Sequence, residues 1–304
     1  TPPLGYPSRF VVIPQCVLYE RMQRGPSCQF YQLNVDIFGE PGLSGDSQRI
    51  QFANDIMNAF GAKPSSYEIR VNSRKLLDSY LKENLQLEPT QAESLTRLID
   101  KMRKMDVAEF AGLADGILSE QQRQEGKTER LLKFLQSESL NEAKELSGGH
   151  QSVEQLEQLV AELKDAGVGS VHFDPSLVRG FDYYTDIAFE VFDTHPDNNR
   201  AMFGGGRYEG LIGLFGVDNV SAAGFGMGDI TIYNFLETHE LLPKLQPATD
   251  IYVCALGKDV APVAKELRTM GLNVALDTTE RQLEKQIRSA ETLGIRYVFF
   301  VGQK

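Results

Sequence analysis

Three features of the sequence predict an α+β protein, with an antiparallel sheet domain carrying a helical insertion and a small separate α/β domain behind it. Strand-like runs crowd residues 1–74 and return after residue 169. The stretch between them, 75–168, is rich in Leu, Glu, Lys and Gln, with apolar residues three and four apart. Beyond residue 247, strands and helices alternate regularly. The 304 residues accommodate about two domains of typical size.

The elements follow in order. Phe10-Val11-Val12-Ile13 and residues 30–39 are rich in β-branched and aromatic side chains. In the second run Phe30, Gln32, Asn34 and Asp36 share one face, while Tyr31, Leu33, Val35 and Ile37 share the other. A line of amide and carboxylate groups reads equally as the floor of a polar pocket or as the wet face of an antiparallel strand. Ile50, Ala53, Ile56, Met57 and Phe60 predict a helix over 47–60, ended by Gly61. Residues 67–71 form a short strand. The insertion is expected to hold helices at 76–81, 93–105, 128–135 and 153–163, with Ser147-Gly148-Gly149 separating the last two. Its charge runs read as solvated faces. Alternation over 185–192 marks a strand, and Pro196, Asn198 and Asn199 mark the turn behind it.

Pro243 and Pro247 bracket a linker. After it come strands at 251–255, 273–276 and 297–301, joined by helices at 260–270 and 281–293. Units of this length predict a parallel sheet. Its last strand is an edge that further residues would cover. The boundaries expected are therefore 1–74, 75–168, 169–246 and 247–304.

Composition narrows the function. A 41% hydrophobic and 24% charged chain is a soluble globular one. No apolar run approaches the roughly 20 residues of a membrane span. Thr1-Pro2-Pro3 opens no secretory leader, and the missing initiator Met suggests that part of the natural N-terminus is absent. Cys16, Cys28 and Cys254 are too scattered for a disulfide framework and form no C-x-x-C pair, which points to the cytoplasm. A net charge of −11 argues against coating nucleic acid, so no DNA partner is expected, whereas local basic patches for RNA remain compatible. His150, His172, His195 and His239 lack metal-ligand spacing, and all four are expected at the surface. No metal site is expected.

Two glycine runs stand out. Gly204-Gly205-Gly206-Arg207 is not a G-x-x-x-x-G-K-[ST] loop, and Gly224-x-Gly226-x-Gly228 lacks dinucleotide-loop spacing. Alone, each reads as a tight crossing exploiting glycine's permissive backbone. Residues 177–185, Leu-Val-Arg-Gly-Phe-Asp-Tyr-Tyr-Thr, are more informative. Arg179 at the entrance of a β segment, followed by Tyr183 and Tyr184, sets a cation and hydrogen-bonding rings over one pocket. Nucleotidyl transfer requires a fixed cation aimed at developing phosphate charge. On residue physics alone, a salt-bridged arginine beside strand aromatics is the simpler account.

Read together, these segments resemble the histidyl-tRNA synthetases, class II synthetases that join histidine to its tRNA. Residues 177–185 look like the family's first histidine-specific motif, L-V-R-G-[LF]-D-Y-Y-T, and residues 204–211 are similar to its second, G-G-G-R-Y-[DE]-x-L. Tyr19-Glu20-Arg21-Met22-Gln23-Arg24-Gly25 and the strand carrying Gln32 resemble motif 2, and residues 224–228 the start of motif 3. The last unit looks like the family's anticodon-binding domain. The resemblance implies a class II antiparallel catalytic sheet, with Arg179 catalytic at the α-phosphate of ATP. It also implies Gln32, Asp36, Tyr183, Tyr184 and Tyr208 around histidine, and Glu20, Gly204, Gly205, Gly206, Gly226 and Gly228 near ATP. Magnesium would accompany ATP, tRNA(His) would be the acceptor, and the chain would form a homodimer. On a helix over 281–293, Arg281, Lys285 and Arg288 would form a basic ridge for RNA.

The sequence departs from the family where arginines normally clamp ATP. Leu18 takes the first motif 2 position, Pro26 and Cys28 two later ones, and Thr231 the motif 3 position. The resemblance therefore admits an alternative: a catalytically impaired relative that keeps the histidine pocket as a sensor or regulator.

Overall fold

The computed structural model describes residues 5–17, 29–178, 184–198, 200–216, 218–243, 247–279 and 281–302. The chain divides into two compact units, Thr1–Leu242 and Pro243–Lys304.

The first unit is built on an eight-stranded sheet. Strands β1 (Ser8–Val12), β2 (Gln15–Val17) and β3 (Gln29–Phe38) precede helix α1 (Leu43–Ala59) and strand β4 (Tyr67–Ser73). After the helical stretch come β5 (Val171–Phe173), β6 (Ile187–Asp193), β7 (Ala201–Arg207) and β8 (Ala222–Gly228). Their order is β1-β3-β8-β7-β6-β4-β5, with β2 also on β3. The pairs are antiparallel except β4 with β5.

The period-2 alternation sorts this sheet into two unlike faces. Val35, Phe225, Met227, Phe203, Phe189, Val191, Ile69 and Val71 are buried on one side. That face packs against α1 and a core that continues into the helices of residues 75–168. The insertion thus shares its hydrophobic core with the sheet.

The helices are α2 (Arg74–Ser79), α3 (Pro89–Ile99), α4 (Val107–Ile117), α5 (Glu120–Gln124), α6 (Lys127–Leu135), α7 (Leu140–Ser147) and α8 (Gln151–Asp165). Two sequence expectations need correction here. The helix expected over 93–105 stops at Ile99, and only a 3₁₀ turn follows at Met102–Lys104. Helices α4, α5 and α7 were not expected at all. Each begins at a local side-chain cap, and α4 and α7 also pack Phe110, Ala114 and Ala143 into the core. The side chains of Asp106, Ser119 and Ser139 accept the Glu109, Gln122 and Glu142 amides respectively.

Of the four histidines expected at the surface, His172 is exposed and His150, His195 and His239 are half-buried. His239, at the end of α9 (Asp229–Thr238), lies 2.8 Å through Nε2 from Oδ1 of the fully buried Asp193.

In the second unit β9 (Ile251–Leu256), α10 (Ala261–Thr269), β10 (Val274–Leu276), α11 (Leu283–Thr292) and β11 (Tyr297–Gly302) form a parallel sheet of order β10-β9-β11. Tyr252, Cys254, Ala290 and Ile295 make its core. The expected basic ridge is not a single helical stripe, because α11 begins at Leu283 and Arg281 precedes it. Arg281 instead pairs with Asp277 at 2.6 Å and reaches the Tyr252 hydroxyl. Arg288 has Glu284 at 3.9 Å. Burial alone would raise the Asp277 carboxyl, but hydrogen bonds from Thr279 and Arg281 outweigh it and hold the group down at about 2.

Candidate functional site

The sheet face opposite the core is polar, and register defines it. On β3 it carries Gln32, Asn34 and Asp36, which pair with Gly228, Gly226 and Gly224 of β8. Gly226 and Gly224 in turn oppose Gly204 and Gly206 of β7. Glu190 and Ala188 of β6 follow, and then Arg70 and Asn72 of β4. Five glycines thus stand between two polar margins, so the centre of this face has no side chains.

The glycines do this by lacking a Cβ. Gly206, Gly224 and Gly226 lie in extended strands, and the positive φ values of the chain fall elsewhere, as at Gly216 (76°). The reading of these runs as tight crossings thus holds through the missing Cβ and not through an unusual φ. A Cβ on Gly224 would strike the Asp36 carboxylate and come within 2.5 Å of the Val35 carbonyl oxygen. One on Gly226 would sit 2.8 Å from Gln32 Nε2, and one on Gly206 would enter the Tyr184 ring. Gly205 points to the other face, where a Cβ would strike the Gly224 carbonyl oxygen and fall 2.5 Å from Phe225 Cβ.

Onto this floor the Tyr208 hydroxyl donates a hydrogen bond to Asp36 Oδ1. Gln32 Nε2 donates to Asn34 Oδ1 at 2.5 Å. Burial raises the Asp36 carboxyl above its ordinary value, and the Tyr208 hydrogen bond opposes this without cancelling it. An acceptor of this kind, half-withdrawn from water beside a neutral donor, is suited to holding one cationic group such as an ammonium.

The segment around the first histidine-like motif is tied down on both flanks. Asn72 Nδ2 donates to the carbonyls of Pro175 (3.0 Å) and Leu177 (3.2 Å). On the far flank the Thr185 amide donates to the Arg207 carbonyl at 2.8 Å. Asp186 accepts from Ser73 Oγ (2.9 Å) and Lys75 Nζ (2.6 Å).

Of the residues singled out from the sequence, Gln32, Asp36, Tyr184, Tyr208, Gly204, Gly206, Gly226 and Gly228 meet around this one face. Arg179, Tyr183, Glu20, Leu18, Pro26 and Cys28 lie outside the described residues. Thr231 Oγ1 donates to the Met202 carbonyl at 2.6 Å, within helix α9's first turn. Sequence reasoning passed over Asn72, Glu190 and the pair Asp46–Arg207. Only the register of the strands could have found the first two. Among the described residues, no group of three or more His, Cys, Asp or Glu is placed to hold a metal ion.

Comparison with known proteins agrees with this architecture. A family model described as Histidyl-tRNA synthetase matches residues 5–229, and one described as Anticodon binding domain matches 250–304. The chain is 33% identical over 306 residues to the histidine–tRNA ligase of Leptospira biflexa, spanning 99% of this chain and 69% of that protein. It is also 33% identical over 312 residues to the chloroplastic/mitochondrial histidine–tRNA ligase of Arabidopsis thaliana, covering 99% and 62%. The fold resembles the histidyl-tRNA synthetase from Nostoc sp. PCC 7120, with a TM-score of 0.77, 24% identity, and 97% and 70% of the two chains covered. It also resembles an ATP phosphoribosyltransferase regulatory subunit/histidyl-tRNA synthetase from Bacillus halodurans C, at a TM-score of 0.75, 20% identity, and 97% and 74% coverage. A glycine-cleared polar floor on an antiparallel sheet, joined in sequence to a small parallel α/β unit and matched along nearly its whole length, places this chain in the histidyl-tRNA synthetase family.

Proposed function

We propose that the chain is a histidine–tRNA ligase. It would activate histidine with ATP to histidyl-adenylate and pyrophosphate, then transfer the histidyl group to tRNA(His). The observation that carries this reading is the Asp36–Tyr208 pair, set at the margin of a floor cleared by glycine. In this reading Asp36 accepts the α-ammonium of histidine, Tyr208 holds that carboxylate in place, and Gln32 supplies an amide beside it. Tyr183 and Tyr184 line the side-chain pocket. The backbones of Gly204, Gly205, Gly206, Gly226 and Gly228, with Glu20, approach ATP, which enters with magnesium. Arg179 faces the α-phosphate, where charge develops in the transition state. No helix among the described residues is long and apolar enough to cross a membrane. We place the reaction in the cytoplasm.

The acceptor tRNA fits the second unit. A cleft of about 790 Å³ opens at the carboxyl ends of β9 and β10, lined by Lys258, Arg281 and Gln286 and also by Asp259 and Asp277. Clefts at the carboxyl ends of parallel strands are where such sheets bind ligands. A second copy of the chain fits the sheet edge in the first unit, where Val12 (51%), Ile13 (65%), Val17 (76%) and Tyr31 (52%) are exposed. Such an apolar edge marks an interaction surface. Sedimentation should therefore give a dimer at micromolar concentration, and Val12→Asp should shift it to monomer. A parent that sediments as a monomer rejects this assignment.

Histidine-dependent exchange of pyrophosphate into ATP, followed by charging of tRNA(His), tests the reaction itself. A second reading, a histidine-binding regulator, rests on Leu18 and the backbone-bonded hydroxyl of Thr231 standing in place of motif arginines. It requires histidine binding without exchange.

The raised Asp36 carboxyl makes a pH prediction. Only the ionised carboxylate holds an ammonium, and a raised value means the proton returns at higher pH than for an ordinary aspartate. Histidine affinity should therefore fall on acidification with a midpoint above the ordinary value of about 3.9. In the apo protein the sign is opposite, since stability from this group is present at low pH and is lost as pH rises through the raised value. Calorimetric titrations across pH should show the acid limb in the parent and a flat one in Asp36→Asn. The same limb in both proteins would remove Asp36 from the ammonium site.

A further inference from the structure

Immediately before Tyr208, on the core side of β7, Arg207 is only 3% exposed and donates five side-chain hydrogen bonds. Its Nε and Nη2 donate to Asp46 Oδ2 at 3.0 and 2.7 Å. Its Nη1 donates to the Glu40 carbonyl (3.0 Å) and Ser221 Oγ (2.7 Å), and Nη2 also to the Gly42 carbonyl (2.8 Å). This fork binds the end of β7 to the first turn of α1 and to the connection before it.

The main chain of the same residue serves the pocket. The Arg207 carbonyl accepts the Thr185 amide and hydroxyl, at 2.8 and 3.3 Å. Thr185 adjoins Tyr184, whose ring lies against Gly206. The next residue, Tyr208, bonds Asp36 through its hydroxyl and the Ala222 carbonyl through its amide at 2.7 Å. One residue therefore joins three segments: α1, the tyrosine segment and the Asp36 strand.

Asp46 is shared. Its second oxygen accepts from Nη2 of Arg49 at 2.7 Å, and Arg49 is fully buried with Nε and Nη1 lacking a partner. Two buried guanidinium groups thus share one carboxylate. A buried charge network with donors to spare is costly to keep unless it fixes a geometry. The Arg207 end of this one leads, through Thr185 and Tyr208, to the amino-acid pocket.

We infer that Arg207 is a positioning residue for amino-acid binding, with Asp46 its anchor, and that together they set Tyr208 on Asp36 and the Tyr184 segment over Gly206. The inference rests on the reading of this face as the histidine pocket. Neither side chain touches the substrate; they act through Tyr208 and Thr185.

The test uses the full chain and free histidine, measured by calorimetry and by pyrophosphate exchange. Asp46→Asn retains the shape and withdraws the anchoring charge. It should raise the histidine KM by about tenfold or more, as expected for a lost charged hydrogen bond, while the ATP KM changes less than about twofold. Arg207→Lys should behave in the same way, because a point charge cannot reproduce the fork. If either variant fails to fold, Ser221→Ala removes a single partner of Arg207 and should give a smaller shift of the same selectivity. The discriminating readout is the cycle of Asp46→Asn with Tyr208→Phe. If Asp46 acts through Tyr208, the double variant should bind histidine no worse than the weaker single variant. Additive losses, or equal rises in histidine and ATP KM, would overturn the inference. A parent that binds no histidine at all would instead refute the pocket itself.

Discussion

Arg179→Ala is expected to lower histidine-dependent pyrophosphate exchange by about 10²–10³-fold, the scale of losing one preorganised transition-state donor. The effect should be large because the other family cations are missing. Leu18 and Thr231 carry no charge, and Thr231 is hydrogen-bonded to the Met202 carbonyl. The flanks of the Arg179 segment are tied by Asn72 on one side and by Thr185 and Asp186 on the other. Arg179→Lys should recover little, since lysine lacks the planar fork. Leu18→Arg should raise activity in the parent by restoring a phosphate contact. Robust turnover that survives Arg179→Ala unchanged would eliminate this mechanism. An absence of exchange in the parent, with histidine still bound, would select the regulator.

Gly224→Ala should be the most damaging conservative change on the floor. The added methyl would run into the Asp36 carboxylate and approach the Val35 carbonyl oxygen to 2.5 Å, and the carbonyl belongs to a paired strand that cannot swing aside. Overpacking of this kind costs roughly 1–3 kcal/mol. Displacing Asp36 should also remove most of the histidine affinity, which calorimetry measures directly. Gly169→Ala is the control, because its Cβ would meet nothing within 4 Å. If Gly224→Ala melts and binds histidine like that control, the floor does not depend on missing side chains.

The polar line Gln32–Asn34–Asp36 was legible from period 2 alone, because a strand exposes alternate residues to opposite faces whatever its partners are. The glycine runs were legible as tight crossings, but not as the floor of a pocket. In the sequence, glycine reports either a needed φ or a needed absence, and only the register against β3 shows that here it is the absence. The motif resemblance also named Tyr208 as a pocket residue. It said nothing of why Arg207 stands before it, since Asp46 lies 161 positions away in the chain.

What the sequence determined by itself was everything governed by local periodicity and composition. The two-part α+β plan, the parallel alternation after Pro247 and the polar face of β3 all depend on residues within a few positions of one another. Tertiary structure decided what depends on distant partners. It bonded the Asn72 side chain of β4 to the Pro175 and Leu177 carbonyls, more than a hundred positions on. It set one carboxylate between Arg49 and Arg207, and it brought five glycines from two strands into register to clear a floor. Those pairings are contacts across strands and helices, and no spacing along the chain encodes which face will meet which.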